Sequence, residues 1–122
     1  MHIIYHKNAK DQTFRKEDTL FQPSIVIQKE KTYLYSVVMV HTDSSFPYFI
    51  NWMVINISIT KGTFNELVSY YPPTIVTKYK FFLLKQSNVI KIEHIPRPYF
   101  SLQTWIHKHR LQVIDICDMN VE

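Results

Sequence analysis

The stretch YSVVMVHTDSSFPYFINWMVINISI, residues 35–59, is the most apolar part of the chain and largely decides its fold. It contains one formal charge, Asp43, and the next acidic residue along the chain is Glu66. β-Branched residues alternate with others in VINISI, a pattern typical of strands. We therefore predict two buried strands joined by a loop around residues 43–47. The lone carboxylate in this apolar stretch needs an explanation.

A transmembrane helix is the alternative for this stretch. Residues 44–60 carry no charge and approach the length that a helix needs to cross a bilayer. They also include Ser44, Pro47, Asn51 and Asn56, and polar groups are costly in the hydrocarbon core. Two buried strands fit these residues better, so we expect no transmembrane segment.

The composition indicates a single, mainly β domain. The chain has 122 residues, the size of one ordinary domain, and 46% of them are hydrophobic. Gly62 is the only glycine, which excludes glycine-rich phosphate-binding loops. Ala9 is the only alanine, whereas Ile, Val, Phe and Tyr are abundant, and this balance favours strands over helices.

Charge and cysteine content restrict the function only weakly. The net charge of +4 is spread along the chain and suits phosphates, nucleic acid or an anionic membrane surface. The single cysteine, Cys117, excludes an internal disulfide and fits a reducing compartment such as the cytoplasm. The abundance of Ile, Lys, Asn and Tyr suits an AT-rich genome, such as that of a large DNA virus, so host cytoplasm or a virion is also compatible.

Hydrophobic periodicity predicts a series of strands along the chain. They are SIVIQ (24–28), TYLYSVVMV (32–40), FINWMVINISI (49–59), KYKFFLLKQ (78–86), NVIKIEHI (88–95) and QVIDICDM (112–119). In NVIKIEHI, we expect Ile90 and Ile92 to face inward. Residues 62–74 are predicted to form a loop, because Pro72 and Pro73 oppose ladder pairing.

One helix is predicted near residues 101–110. Ser101 is a good N-cap, and Leu102, Trp105 and Ile106 fall on one helical face. Many strands followed by one late helix and a last strand predict an antiparallel, Greek-key-like β-sandwich with the helix packed at its edge.

Four motifs in order resemble the phosphatidylethanolamine-binding protein (PEBP) family. They are LYSVVMVHTDSSFP (34–47), INWMVINI (50–57), YYPPTIVTKYKFFLLKQ (70–86) and RPYFSLQTWIHKHRL (97–111). They resemble, in turn, the family's strand before its Asp-Pro-Asp-x-Pro loop, its histidine-containing strand, its Pro-Pro and Gly-x-His-Arg-Tyr segment, and its Arg-x-x-Phe helix. The resemblance covers roughly residues 20–120.

The resemblance implies a single-domain, two-sheet β-sandwich with a small anion pocket. In the family this pocket takes phosphate or the head group of phosphatidylethanolamine. Family members often act as non-catalytic binding modules or signalling regulators through protein partners. We therefore expect a phosphate or phospholipid head group and a protein as partners of this chain, and no enzymatic activity.

The resemblance transfers the pocket to this chain only in part. The two loop aspartates of the family fall on His41 and Asp43, and the strand histidine falls on Asn51. Both pocket histidines of the family are replaced, because the second one falls on Thr77. Asparagine and threonine still donate hydrogen bonds but carry no charge, and charged donors bind phosphate more strongly. We therefore expect a reduced or altered ligand site.

The second motif contributes the rest of the implied ligand-binding set. Its arginine falls on Lys78, which lacks the bidentate fork of arginine, and its tyrosine is retained as Tyr79. The implied set is Asp43, Tyr79, His41, Asn51, Thr77 and Lys78. Asp43 would accept hydrogen bonds, Tyr79 would present its hydroxyl, and Lys78 would add positive potential at the rim. Alternatively, Asp43 only caps a turn within TDSS.

Other functions have weaker support in the sequence. The six histidines show no zinc-ligand spacing, and no base is paired with Cys117, so we expect no metal, no cofactor and no nucleophilic catalysis. Two alternatives stay open. One is a pocket-less protein-interaction scaffold, and the other, less favoured, is a single-stranded nucleic-acid binder. The latter would use Lys78, Lys80 and Lys85, interleaved with Tyr79, Phe81 and Phe82.

Overall fold

The structure, a computed structural model, describes residues 1–5, 13–41 and 48–122, and the described chain is mainly β with one α-helix. A 3-10 turn spans Lys16–Thr19. The elements are β1 (His2–Ile4), β2 (Thr13–Phe14), β3 (Ser24–Val26), β4 (Leu34–His41), β5 (Phe49–Ser58), β6 (Thr63–Val68), β7 (Lys78–Gln86), α1 (Leu102–His109) and β8 (Gln112–Val121).

The strands form a six-stranded sheet in the order β2-β8-β7-β4-β5-β6 and a two-stranded sheet of β1 and β3. Neighbouring strands are antiparallel, except that β2 runs parallel to β8. The predictions of a mainly β fold and of a short helix near residues 101–110 are thus confirmed. Ser101 caps α1 as expected, because its side chain accepts a hydrogen bond from the Thr104 amide.

Both faces of the large sheet are covered, which explains the apolar sequence of its central strands. On one face, Ile3 of β1 and Ile25 of β3 pack over a cluster that includes Val37. On the other face, Trp105 of α1 packs into a cluster that includes Phe82. The helix therefore lies over a face of the sheet, whereas the sequence placed it at the edge.

β4 shows the effect of this double burial. Val37 and Val38 point to opposite faces, yet neither is exposed to solvent. A strand buried on both sides has no polar face, so its sequence reads as a continuous apolar run. The stretch 49–58, considered above as part of a membrane span, forms β5 instead. No helix within the described residues is long and apolar enough to cross a membrane.

Two of the predicted segments differ from the structure. Residues 62–74 were expected to be a loop, but β6 occupies Thr63–Val68 and pairs with β5. Gly62, with φ of +67°, turns the chain between these two strands, and Pro72 and Pro73 lie beyond the paired region. NVIKIEHI, in contrast, forms no strand.

Asn56 explains why NVIKIEHI is not a strand. Its side chain accepts a hydrogen bond from the Ile90 amide (2.8 Å) and donates one to the Ile90 carbonyl (2.9 Å). These are the bonds that a partner strand would otherwise make. Ile90 is consequently buried as predicted, but Ile92 is 64% exposed, contrary to the prediction.

Asn56 is also the extra residue of a β-bulge. Tyr35 pairs with Ile57 and Val37 pairs with Val54, so β5 has one residue more than β4 between these pairs. Asn56 has φ of +56°, a conformation that asparagine tolerates better than most residues. Its side chain is further bonded to Gln86 (2.9 Å) and Asn65 (3.0 Å).

We predict that Asn56→Ala lowers the free energy of unfolding by about 3 kcal/mol, because it removes four side-chain hydrogen bonds and strains the left-handed backbone. Asn56→Gly should lose about 1 kcal/mol less, since glycine accepts this conformation. Asn65→Ala, which removes one partner of Asn56, is the control and should cost about 1 kcal/mol. Urea denaturation measures all three, and equal losses for all variants would contradict the role of Asn56.

Two tyrosine hydroxyls link the N-terminal segment to the segment that follows β6 and to the 3-10 turn. The hydroxyls of Tyr5 and Tyr70 are 2.8 Å apart, and the Tyr70 hydroxyl donates to the Thr19 carbonyl (2.7 Å). Burial, reinforced by the Tyr70 hydroxyl, raises the pKa of Tyr5. Burial likewise raises the pKa of Tyr70 to about 12, although its hydrogen bond with Tyr5 opposes this shift.

The free energy of unfolding should therefore fall as the pH rises above about 10, the ordinary tyrosine pKa. Above that pH the unfolded chain loses tyrosine protons that Tyr5 and Tyr70 retain in the folded state. We predict a shallower decline for Tyr5→Phe than for the parent between about pH 9 and pH 11. The exposed Tyr99→Phe is the control and should decline as the parent does. Identical slopes for Tyr5→Phe and the parent would refute this assignment.

Candidate functional site

His41, the last residue of β4, lies between aromatic side chains of both neighbouring strands. It pairs with Phe49 of β5 and with Tyr79 of β7 in the sheet register. The ring centroids are 5.1 Å from Phe49 and 5.0 Å from Tyr79. His41 is only 8% exposed, so it is a buried histidine at one end of the sheet.

Asn51 reaches His41 because it is the extra residue of a second β-bulge. Trp52 pairs with Met39 and Ile50 pairs with Val40, which leaves Asn51 unpaired between them. Bulges re-aim side chains and are common beside functional sites. Here the Asn51 side-chain oxygen lies 2.7 Å from Nδ1 of His41.

The bonds of Asn51 fix the protonation state of His41 Nδ1. The Asn51 side-chain amide donates to the Tyr71 carbonyl (2.9 Å), which orients its oxygen toward His41. Since that oxygen can only accept, Nδ1 of His41 carries a hydrogen. Protonation of His41 would therefore add its proton at Nε2 and would leave the bond to Asn51 in place.

Tyr79 joins this group through its ring and not through its hydroxyl. It is fully buried, and its hydroxyl donates to the Ile75 carbonyl (2.9 Å) and accepts from the Ile75 amide (3.3 Å). Burial raises the pKa of Tyr79, and the bonds to the Ile75 and Thr74 backbone oppose this shift. The hydroxyl that was expected to face a ligand is thus bonded to its own loop.

The structure does not group Lys78 or Thr77 with His41. Lys78 is exposed, and strand alternation directs it to the face opposite Tyr79. Thr77 is half-buried, and its carbonyl accepts the Val121 amide (3.0 Å). Asp43 lies outside the described residues. The structure therefore brings together His41, Asn51 and Tyr79 from the predicted set.

Arg97 is a member of this site that the sequence did not single out. Its guanidinium donates to the carbonyls of Ile50 (3.2 Å), Asn51 (3.2 Å) and Ser69 (2.7 Å), and to the Ser69 hydroxyl (3.0 Å). It also lies 5.4 Å from the centroid of the Tyr71 ring. Arg97 opens the RPYF motif, but its long-range partners could not be read from that motif.

Arg97 brings one positive charge to this end of the sheet. Among the described residues, its four hydrogen bonds go to neutral oxygens, which do not cancel that charge. His41 is close by, because both residues are bonded to Asn51. A buried imidazole with one nitrogen fixed as a donor, beside a guanidinium, can attract an anion when the imidazole is protonated.

The same strand bears on the nucleic-acid hypothesis. Phe81 and Phe82 of β7 are buried in the two core clusters, so their rings are not surfaces for base stacking. Lys80 forms an ion pair with Asp118 (3.1 Å), and the Lys85 ammonium lies over the Tyr33 ring (3.7 Å).

Metal chemistry has no evident site in the part of the chain that the structure describes. In those residues, no group of three or more His, Cys, Asp or Glu side chains is arranged to hold a metal ion.

Comparison of the chain with profiles of known protein families gives no match, and comparison with curated proteins gives none either.

We predict that Arg97→Lys lowers the free energy of unfolding by about 2 kcal/mol, because an ammonium cannot reach all four oxygens of the guanidinium site. Arg110→Lys makes the same substitution at an exposed position that lacks these contacts. Its free energy of unfolding should stay within about 0.5 kcal/mol of that of the parent. Chemical denaturation compares the two variants. Equal effects at both positions would show that the fork of Arg97 is not a structural clamp.

Proposed function

We propose that this protein is a divergent relative of the PEBP family and works as a non-catalytic binding or regulatory module. Its ligand is an anionic group, phosphate or the phosphoethanolamine head group, held at the end of the sheet marked by His41, Asn51 and Tyr79. A protein partner would read out the bound state. The PEBP-like sandwich is part of this proposal, as is the ligand class.

The observation that carries the proposal is the convergence of His41, Asn51 and Tyr79. They come from three adjacent strands and from three separate motifs of the resemblance. Arg97 adds a positive charge whose bonds go to neutral oxygens. Residues 42–47, which include Asp43, follow His41 directly in the sequence.

In this site His41 binds the anion, and Asn51 orients the His41 ring. Protonated His41 donates from Nε2 to an anion oxygen, while its Nδ1–H stays on Asn51. Arg97 contributes mainly potential, because its donors already serve the Ile50, Asn51 and Ser69 oxygens. Binding should therefore be weaker than at a site with free guanidinium donors.

A specific observation also favours a second function, a protein-interaction scaffold without a ligand. Asn51, Tyr79 and Arg97 each already use side-chain donors in bonds inside the protein. A site that satisfies itself in this way is rigid, but it offers few donors to a small anion.

An NMR titration separates the two functions. Inorganic phosphate and phosphoethanolamine are added to the ¹⁵N-labelled protein, and the His41 ring and the Asn51 side-chain amide are followed. The proposal predicts saturable shifts of both groups at millimolar ligand. Stronger binding of phosphoethanolamine than of phosphate would show that the site also recognises the amine. Vesicles that contain phosphatidylethanolamine then test binding of the lipid itself.

Matched variants locate the binding. His41→Gln should weaken it about tenfold, the loss of one charged hydrogen bond, whereas His94→Gln, at an exposed histidine, should not change it. Silence at millimolar ligand would refute the anion site and support the scaffold. Shifts confined to the cleft lined by Lys31 and Lys61, at the Ser58 end of β5, would also contradict the proposal.

A further inference from the structure

A second cleft, of about 600 Å³, lies beside α1, and its lining includes none of His41, Asn51, Tyr79 and Arg97. It is formed by the segment that precedes the helix and by the helix itself. Aromatic rings and prolines dominate its lining, which includes Pro96, Pro98, Tyr99, Phe100 and Trp105. Clefts of this volume with aromatic walls are typical of ligand sites.

Trp105 lines the cleft, and its buried indole N–H is an unused hydrogen-bond donor within the described residues. Its side chain is only 5% exposed, and its indole Nε1 finds no acceptor among the described residues. A buried donor without a partner is costly, and buried tryptophans usually satisfy this group. Trp52 follows that rule, because its indole donates to the Glu66 carboxylate (2.8 Å). Trp105 therefore favours a ligand that supplies an acceptor.

Tyr99 gives the cleft an exposed aromatic surface. Its side chain is 84% exposed, although the next residue, Phe100, is buried. Tyr99 has φ of +61°, which is unfavourable for a bulky residue, and strain of this kind clusters at ligand sites. The Phe100 backbone holds this geometry through two hydrogen bonds with the Tyr48 backbone (2.9 and 3.1 Å).

The charges at the cleft largely cancel. Lys108 and Glu93, the charged residues of its lining, form an ion pair (3.1 Å). His109 packs against Trp105 with the ring centroids 5.0 Å apart, and burial lowers the pKa of His109. The cleft is thus suited to a neutral, acceptor-rich ligand.

We propose that this cleft binds a proline-rich segment of a partner protein in the polyproline II conformation. Such a segment has no internal hydrogen bonds, so its carbonyls are free to accept the Trp105 N–H. Prolines bring no backbone N–H that would need an acceptor in return. Their flat rings pack against exposed aromatic rings such as Tyr99. Because the indole N–H is buried, this bond requires the Trp105 ring to rotate toward the cleft when the segment binds.

The test uses the two indole N–H signals of the full chain in ¹⁵N–¹H NMR spectra. The probe is a blocked oligoproline of about eight residues, roughly 25 Å long in this conformation. The Trp105 indole proton should move downfield on titration as it gains an acceptor. The Trp52 indole, already bonded to Glu66, is the internal reference and should stay in place.

Two variants assign the contacts. Trp105→Phe keeps an aromatic ring without the N–H and should weaken binding about tenfold, the effect of one lost hydrogen bond. Tyr99→Ala, at the surface, should weaken it by about the same factor. Phe21→Ala is the matched control, since Phe21 is also 84% exposed but lies outside the cleft, and it should bind as the parent does.

Three outcomes would overturn the proposal. The first is a Trp105 indole signal that does not move at millimolar peptide. The second is a loss of binding in Phe21→Ala equal to that in Tyr99→Ala, which would indicate non-specific adhesion. The third is a Trp105 shift with a soluble oligosaccharide but not with oligoproline, which would assign the cleft to carbohydrate. Each outcome is independent of the phosphate titration, because the His41 site uses other residues.

Discussion

The hydrogen bonds of Asn51 and Asn56 hold the irregular segments of this protein onto its sheet. Both residues lie in β5, a strand that is largely apolar and covered on both faces. Buried backbone groups must be paired, and a loop that crosses an apolar face has no water to pair with. The Asn51 side chain bonds the Tyr71 carbonyl, and the Asn56 side chain bonds the Ile90 backbone. In each segment, these backbone groups are thus paired with a side chain in place of a neighbouring strand.

The same constraint shapes the candidate anion site. Each asparagine is the extra residue of a bulge, where the ladder is interrupted and a side chain is re-aimed. At Asn51 the side chain orients His41, and the backbone carbonyl accepts a hydrogen bond from Arg97. The result is a hydrogen-bonded group at the end of the sheet, in which most of the described donors already have partners.

The cleft beside α1 differs chemically from the His41 site. Its lining is mostly aromatic and its indole donor has no partner among the described residues, whereas the described donors of the His41 site mostly have partners. The two proposed partners, an anion and an acceptor-rich apolar segment, differ for this reason.

The sequence by itself determined the parts of the fold that depend on local patterns. KYKFFLLKQ predicted β7 at its observed bounds, Lys78–Gln86, and Ser101 with the apolar face after it predicted α1. Periodicity suffices there, because each residue's burial follows from its position in its own element. The grouping of His41 and Asn51 with Tyr79 was expected only through the family resemblance, and local pattern alone would not have given it.

Only the tertiary structure decided where polar side chains replace strand pairing. Residues 63–68 form a strand because they pair with the edge of β5. Residues 88–95 do not, because the Asn56 side chain bonds both backbone groups of Ile90. Hydrogen bonding to unpaired backbone carbonyls likewise places Arg97 in the site, through the Asn51 carbonyl, and directs the Tyr79 hydroxyl to the Ile75 carbonyl. Hydrogen-bond partners distant in sequence are set by which groups remain unpaired after the core has packed, and no local pattern records that.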